Sequence, residues 1–397
     1  MTVDVPSRSR RLTAVLREEE RVLPLELFFD LVFVLAFTQC TALMVADPTW
    51  EGLARGLLVL GVLWWAWVGY AWLTSVIDPE EDIVRLAIFA SMAALLVVAL
   101  CVPEAFDDSA LLFAGAYGIV RFVQLALFVL ASRDVPGLRH SVNGLAASTA
   151  IAVGIIVVAG FTDGAVQGGL WALALVLDLG GPFLFGAEGW MLVPGHFAER
   201  HALIFIIALG ESIVALGVGV VGGVSLGIVV AAVVGTAVAA ALWWLYFDVV
   251  AIVAARRLVA ATEGRERNEL ARDSYSFLHL PMVAGVILVA LGMKKTLGGV
   301  DEPLSVVSAT ALLGGAALYL LAHVAFRLRN IATVNRQRLL CAVLLLVLLP
   351  VALEIPALAT VTMLAAILSI LIAYEALRFA EARDRIRHEL AQSPAPD

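Results

Sequence analysis

The sequence predicts an all-α fold, a polytopic membrane bundle of about twelve transmembrane helices. Of the 397 residues, 62% are apolar and 15% are charged, whereas soluble proteins are about half apolar and a quarter charged. One membrane span needs about 20 mostly apolar residues, so this composition could fill about twelve spans. It excludes a soluble enzyme, a disordered chain, a nucleic-acid binder and a disulfide-stapled secreted domain.

The apolar residues occur in long runs separated by proline, glycine and charged residues. A run in lipid must be helical, because every backbone N–H and C=O group has to bond within its own segment. Each run therefore predicts one span, and the proline and glycine residues mark the joints. The predicted spans are 25–45, 53–75, 83–102, 109–131, 141–160, 168–186, 202–221, 226–250, 277–297, 305–325, 338–354 and 358–378.

The positions of the cationic residues predict the orientation of these spans. If the N-terminus is cytoplasmic, 22 of the 26 Lys and Arg residues lie on the cytoplasmic side. Arg121 then lies within a span, and only Arg55, Lys294 and Lys295 lie outside. Cytoplasmic loops of membrane proteins carry this excess of positive residues. We therefore expect a multi-pass protein of the cytoplasmic membrane, with cytoplasmic tails at 1–22 and 381–397.

The two halves of the sequence resemble each other, which predicts an internal repeat. Three features recur in the same order: an acidic residue in an apolar run, two adjacent tryptophans, and a tyrosine four residues before a basic residue. The pairs are Trp64 and Trp65 with Trp243 and Trp244, Asp30 with Glu211, and Tyr117 and Arg121 with Tyr319 and His323. Six spans per half give both halves the same orientation, so we expect a parallel 6+6 repeat with units at 23–195 and 196–380.

Several ionisable residues lie inside the apolar runs, where each costs roughly 2.5–3.5 kcal/mol by insertion scales. Asp30 lies one helical turn after Glu26, so both carboxylates share one helix face. The same face continues with Phe33, Phe37, Thr38 and Thr41. Such a face is typical of a polar pathway. The candidate pathway residues are Glu26, Asp30, Glu199, Arg200, His201 and Glu211, with Arg121, Asp178, Asp248 and His323 as secondary candidates.

A structural role for these charges is the alternative. In that interpretation Asp30 pairs with Arg200 or Arg121, and the pair fixes how the helices pack. Both interpretations stay open at the level of sequence.

No catalytic or cofactor motif accompanies the intramembrane charges. The sequence has no Gly-x-Ser-x-Gly, P-loop or dinucleotide-binding motif. His196, Glu199 and His201 lie close in sequence, but their spacing is not typical of zinc sites. The three cysteines lie far apart in apolar runs and are expected to be free thiols. We predict no catalytic residue, no cofactor and no metal.

Two acidic motifs give the sequence a family resemblance. Residues 24–34 (PLELFFDLVFV) resemble the first-helix signature of the bacterial low temperature requirement protein A family. Residues 196–201 (HFAERH), followed by 209–212 (LGES), resemble its second signature, and the aromatic stretches 64–70 and 243–248 are also similar. A mild departure is Ala71, where the family often has a polar residue. The resemblance covers essentially the whole chain and implies a polytopic bacterial membrane protein without a settled biochemical activity.

The favoured function is a transporter or channel for a small ion or solute. Asp30 and Glu211 would form the core of its site, and Glu26, Glu199, Arg200 and His201 would shape the cytoplasmic entrance. The alternatives are a membrane-embedded enzyme acting on lipid or quinone, and a non-catalytic membrane sensor or assembly protein. The expected partners are membrane lipids and the small ion or solute, with no nucleic acid, and a homo-oligomer is compatible with the sequence.

Overall fold

The computed structural model describes residues 21–184, 189–219, 223 and 225–380. Within these ranges the regular secondary structure is helical, apart from one isolated β-bridge between Pro303 and Pro356. The prediction of an all-α fold is therefore confirmed. The predicted tails, 1–22 and 381–397, lie outside the described residues except for positions 21 and 22.

The helices follow one another along the chain with short connections. They are α1 (Pro24–Ala46), α2 (Trp50–Leu73), α3 (Asp82–Cys101), α4 (Ala110–Ala131), α5 (Pro136–Ala159), α6 (Gly164–Leu184), α7 (Pro194–Val218), α8 (Leu226–Phe247), α9 (Val250–Ala260), α10 (Arg265–Leu270), α11 (His279–Leu297), α12 (Val306–Ala309), α13 (Gly315–Ile331), α14 (Arg336–Val347), α15 (Leu349–Ala352) and α16 (Ala357–Arg378). We call the end of the bundle at which α1 begins the inner end, following the orientation that the charges predict.

Eleven helical segments in the described ranges are long and apolar enough to cross a membrane. Three of them combine neighbouring helices: α8 with α9, α10 with α11, and α12 with α13. The remaining predicted span, 338–354, is divided into α14 and α15. Pro350 lies at the start of α15, and a proline inside a continuous helix lacks the N–H group and clashes with the preceding turn. The eleven long apolar helical segments of the described ranges make the chain a multi-pass membrane protein.

Two wide π-helical segments interrupt the second half of the bundle. Residues Ala271–Phe277 join α10 to α11, and Thr310–Gly314 join α12 to α13. A π segment uses i→i+5 hydrogen bonds, here from Leu278 N to the Asp273 carbonyl. Two carbonyl groups of the first segment accept bonds from side chains instead: Ser276 O from Trp64 Nε1 at 2.8 Å, and Ser274 O from His279 Nδ1 at 3.0 Å. The segment therefore anchors α2 and α11 to one another.

The most buried helices are α2 and the segment that contains α11. In an apolar 18-residue stretch of each span, buried residues make up 83% in α2 and 78% in α10–α11, against 28% in α6. A helix that is apolar on every side lies in the interior of a bundle, and α2 carries the buried indoles of Trp64, Trp65 and Trp67. The core is therefore built around α2 and α11, with α1 and α7 packed against α11.

Glycine allows α11 and α13 to approach each other closely. A Cβ atom added to Gly285 would lie 2.7 Å from the Gly315 carbonyl oxygen, and one added to Gly315 would lie 2.7 Å from Leu288 Cβ. Small residues at a helix interface let two backbones make contact in a membrane. Any larger side chain at either position would force the two helices apart.

We predict that Gly285→Val destabilises the folded protein by about 1–3 kcal/mol, because the added methyl groups overpack the contact with α13. The matched control is Gly154→Val in α5, where an added Cβ meets nothing within 4 Å. Thermal unfolding of the detergent-purified protein measures both variants. Equal unfolding midpoints for the two would contradict the close approach of α11 and α13.

Candidate functional site

Four ionisable side chains meet where α1 packs against α7 near the inner end. Glu26 and Asp30 are one turn apart on α1, and His196 and Arg200 are one turn apart on α7. His196 Nε2 lies 2.9 Å from Glu26 Oε1; Arg200 Nη1 donates to the same oxygen at 3.1 Å, and Arg200 Nη2 donates to Asp30 Oδ1 at 2.8 Å. All four side chains are buried. We call these four residues the inner cluster.

Helix α2 supports the inner cluster through an indole. Trp67 Nε1 donates to Asp30 Oδ1 at 2.9 Å, and the Arg200 guanidinium carbon lies 5.7 Å from the centre of a Trp67 ring. Leu23 N donates to Glu26 Oε2 at 2.9 Å, as in a helix-capping arrangement. Asp30 Oδ2 is buried without a hydrogen-bond partner among the described residues. Asp30 thus keeps one oxygen that is not used in holding the helices together.

A second polar site lies further along the same two helices. Glu211 of α7 is 2% exposed, and Thr38 Oγ1 of α1 donates a hydrogen bond to its Oε2. The Thr41 hydroxyl lies beside the same carboxylate, and the charge of Lys294 in α11 interacts electrostatically with this carboxylate. No described Lys, Arg or His nitrogen lies within ion-pairing distance of Glu211. We call Glu211, Thr38 and Thr41 the Glu211 site.

An apolar layer separates the inner cluster from the Glu211 site. Asp30 and Thr38 are eight residues apart in α1, which is about 12 Å of helix. Between these levels α1 contributes Phe33 and Phe37, and α7 contributes Ile204 and Ala208, all fully buried. The α1 face predicted from sequence therefore does face α7. The structure does not bring Asp30 and Glu211 into one group of contacting residues.

The secondary candidates Arg121 and Asp178 pair with each other. Arg121 Nη2 of α4 lies 3.0 Å from Asp178 Oδ2 of α6, and Thr149 Oγ1 of α5 donates to Asp178 Oδ1 at 2.8 Å. Arg121 Nη1 also donates to the Trp65 carbonyl of α2 at 3.1 Å. Arg121 therefore joins four helices, and Asp30 finds its arginine partner in Arg200.

The secondary candidate His323 belongs to a further buried network, around Arg338, which the sequence analysis did not identify. Arg338 Nη1 of α14 donates to His323 Nδ1 at 2.6 Å, and Arg338 Nη2 pairs with Glu375 Oε2 of α16 at 2.8 Å. Asn335 Nδ2 donates to Glu375 Oε1 at 2.9 Å. The available signal was that both charged residues lie at or near the ends of predicted spans 338–354 and 358–378.

Glu199 and His201 lie apart from the inner cluster despite their place in the motif. Glu199 is exposed and accepts a hydrogen bond from Val22 N at 3.0 Å. His201 is buried on another face of α7, where Nδ1 donates to the Phe197 carbonyl at 2.8 Å and the ring lies 4.8 Å from a Trp67 ring. His196, Glu199 and His201 thus have different partners. Among the described residues no three His, Cys, Asp or Glu side chains are grouped to hold a metal.

The remaining secondary candidate, Asp248, ends α8 and lines a cavity at the inner end. His196 and Trp67 are the residues of the inner cluster and its support that were not among the predicted site residues. His196 lies one turn before Arg200, a spacing that the sequence already contains. No sequence pattern connects Trp67 with Asp30.

A helical bundle that buries arginine–carboxylate clusters between apolar helices defines a multi-pass membrane protein with a polar centre. The chain belongs to the bacterial low temperature requirement A protein family, whose model matches residues 21–373. An uncharacterized protein of Rhizobium meliloti (strain 1021) is 32% identical over 307 residues, covering 74% of this chain and 74% of the relative. No solved structure matches the chain. The family resemblance of the two acidic motifs is confirmed.

We predict that Arg200→Leu destabilises the protein by about 3–5 kcal/mol, because it leaves two buried carboxylates without their cation. The matched control is Arg55→Leu, which removes the partly exposed pair of Arg55 with Glu51 and should cost at most about 1 kcal/mol. Thermal unfolding in the same detergent compares the two. An effect of Arg200→Leu as small as that of the control would show that the inner cluster contributes little to folding.

Proposed function

We propose that the protein is a transporter or channel for a small cation, proton included, in the cytoplasmic membrane of a bacterium. One observation carries the proposal: Glu211 is a buried carboxylate whose contacts are threonine hydroxyls. The carboxylates of Glu26, Asp30, Asp178 and Glu375 each pair with an arginine. Glu211 differs from all of them.

The energetics of burial support this role for Glu211. A charged carboxylate in the membrane interior is costly, and such residues mark ion pathways and proton relays. Without an arginine, the carboxylate lowers this cost by binding a proton or a small cation. Thr38 and Thr41 add hydroxyl oxygens at the same place, and oxygen ligands suit hard cations. The Glu211 site would therefore bind a proton or a small cation and release it again during transport.

The inner cluster would close the pathway at its cytoplasmic end. Arg200 bonds to two carboxylates of α1, so α1 and α7 cannot separate at this level without breaking buried ion pairs. Beyond it, the rings of Phe33 and Phe37 exclude water, and apolar constrictions gate channels by dewetting. In this proposal Glu199 and His201 flank the entrance, and transport requires α1 and α7 to move apart.

The proposed internal repeat supports a relative movement of α1 and α7. The neighbour pairs α1–α2, α1–α3, α3–α4 and α4–α5 correspond to α7–α8, α7–α11, α11–α13 and α13–α14 in the second half. With repeat units at 23–195 and 196–380, α1 and α7 are the first helices of the two units and meet at their interface. Transporters built from repeats bind their substrates at such interfaces.

The alternative function is a sensor or assembly protein without transport. The ion pairs of Arg200 with Glu26 and Asp30 favour it, because they hold α1 against α7 and so give both carboxylates a role in helix packing. A flux measurement distinguishes the two functions.

We predict that Glu211→Gln abolishes cation flux through the reconstituted protein. The experiment follows proton, sodium and potassium flux in liposomes, with folding of each variant checked by thermal unfolding. The matched control is Glu104→Gln, which changes an exposed carboxylate bonded to Ser109 and should leave flux unchanged. Asp30→Asn should reduce flux less than Glu211→Gln. Flux that persists in folded Glu211→Gln would contradict the proposal, and no flux from the folded natural protein would favour the sensor or assembly role.

We predict that Phe37→Ala raises basal leak several-fold, because it removes a ring from the apolar layer and lets water enter. The matched control is Phe28→Ala, since Phe28 is exposed on the outside of α1. Proton leak in the same liposomes measures both variants. If the leak is equal in both, the apolar layer of α1 does not form the barrier.

A further inference from the structure

The Thr38 hydroxyl has one hydrogen and two oxygens within reach that can accept it. Thr38 Oγ1 lies 2.9 Å from the carbonyl oxygen of Val34, one turn earlier in α1, and in hydrogen-bond contact with Glu211 Oε2 of α7. A threonine in a helix often donates to the carbonyl group four residues before it. A hydroxyl has a single donor hydrogen and two lone pairs that accept. When the hydrogen goes to Val34, the contact with Glu211 needs a hydrogen from the carboxyl group.

Thr41 repeats this arrangement further along α1. Its Oγ1 donates to the Phe37 carbonyl at 3.1 Å, and the same hydroxyl interacts with Glu211. Thr41 follows Thr38 by three residues, so both hydroxyls lie on one face of α1. Each hydroxyl thus has a backbone acceptor for its hydrogen and offers a lone pair toward the same carboxyl group.

A protonated Glu211 satisfies every group in this arrangement. An ionised carboxylate only accepts hydrogen bonds, whereas a protonated carboxyl group also has one O–H donor. That O–H donates to Thr38 Oγ1, and the Thr38 hydrogen goes to the Val34 carbonyl. When Glu211 is ionised, the Thr38 hydroxyl has to turn its hydrogen to the carboxylate and gives up its bond to Val34.

The contact between Thr38 and Glu211 favours a proton over a metal cation. Hard cations lie about 2.0–2.6 Å from each oxygen ligand, so a cation bridging Thr38 Oγ1 and Glu211 Oε2 pushes the two oxygens apart. These oxygens are instead in direct hydrogen-bond contact, which a shared hydrogen provides. The geometry of the Glu211 site thus matches one bound proton.

Two other ionisable groups interact with Glu211 from the helices around it. They are Lys294 of α11 and the Cys40 thiol of α1, and both act electrostatically. The hydrogen-bond partners of Glu211 in the described part of the chain are Thr38 and Thr41. A proton on Glu211 is therefore held by the carboxyl group and its two threonines.

We propose that the ion bound at the Glu211 site is a proton, held as a carboxylic acid that donates to Thr38. The inference rests on the transport function proposed above and narrows its substrate to protons. On binding, an O–H bond forms on Glu211, and Thr38 turns its hydrogen to the Val34 carbonyl. On release, that O–H bond breaks, the proton passes to water, and Thr38 turns its hydrogen to the carboxylate.

Infrared difference spectroscopy of the detergent-purified full chain tests for the bound proton directly. A protonated carboxyl group has a C=O stretching band that a carboxylate lacks. At neutral pH the difference spectrum between the natural protein and folded Glu211→Gln should contain this band. The difference spectrum with the control variant Glu104→Gln, which changes an exposed carboxylate, should not contain it. A Glu211 difference spectrum without the band would overturn the proposal.

Variants of Thr38 keep the test independent of Glu211→Gln. Thr38→Val removes the hydroxyl and keeps the size of the side chain, so the band should move to higher wavenumber and proton flux in liposomes should fall several-fold. Thr38→Ser keeps the hydroxyl and should preserve both. The matched control is Thr236→Val in α8, where an exposed hydroxyl donates to the Ala232 carbonyl. A band at the same position in all three variants would overturn the bond between Thr38 and protonated Glu211.

Flux measurements separate this inference from the proposed transport function. The reconstituted protein should carry protons down a pH gradient at the same rate with sodium, potassium or choline as the accompanying cation. Sodium or potassium flux that Glu211→Gln abolishes would overturn the proton as the ion and leave the transport function in place. No flux of any cation, with the infrared band present, would overturn the transport function but not the bound proton.

Discussion

The bridge from Arg200 to Glu26 and Asp30 is the interaction on which the rest of the polar centre depends. A guanidinium carries its donors in a rigid fork, so it can bond to two carboxylates one turn apart only when α7 faces α1 at that level. This contact sets how the two helices lie against each other. The same two helices then meet again at Thr38 and Glu211, with only apolar side chains between the two levels.

The buried acidic residues differ more clearly in whether they pair with an arginine than in their depth in the membrane. Arg121 joins four helices through Asp178, Thr149 and the Trp65 carbonyl, and Arg338 joins α13, α14 and α16 through His323 and Glu375. Breaking such a pair leaves a buried charge without its partner, so these acids have a structural task that accounts for their burial. Glu211 has no such task in the described structure, which is why the proposed function rests on it.

Much of this arrangement could be predicted from the sequence. Hydropathy predicted an all-α membrane bundle, and the turn spacing of α1 predicted that Glu26, Asp30, Thr38 and Thr41 share one face. The sequence narrowed the partner of Asp30 to Arg200 or Arg121 but could not decide between them, because Arg200 lies 170 residues away and reaches Asp30 only through the packing of α1 on α7. Trp67 was missed for the same reason, since an indole in an apolar run is indistinguishable from its neighbours until the helices pack. The partition of 338–354 into α14 and α15 was also missed, because an average over apolar residues does not register the effect of Pro350.

The π segment Ala271–Phe277 has a consequence for how this chain can vary. An α-helix turns about 100° per residue, so the extra residue of a π turn rotates α11 by about that amount relative to an uninterrupted helix continuing α10. The buried face of α11, from His279 onward, is therefore out of phase with that of α10. If one residue within 271–277 were lost, this segment would form a regular α-helical turn. His279 and the glycines of α11 would then be rotated away from their partners. The length of this segment is thus as much a constraint as its composition.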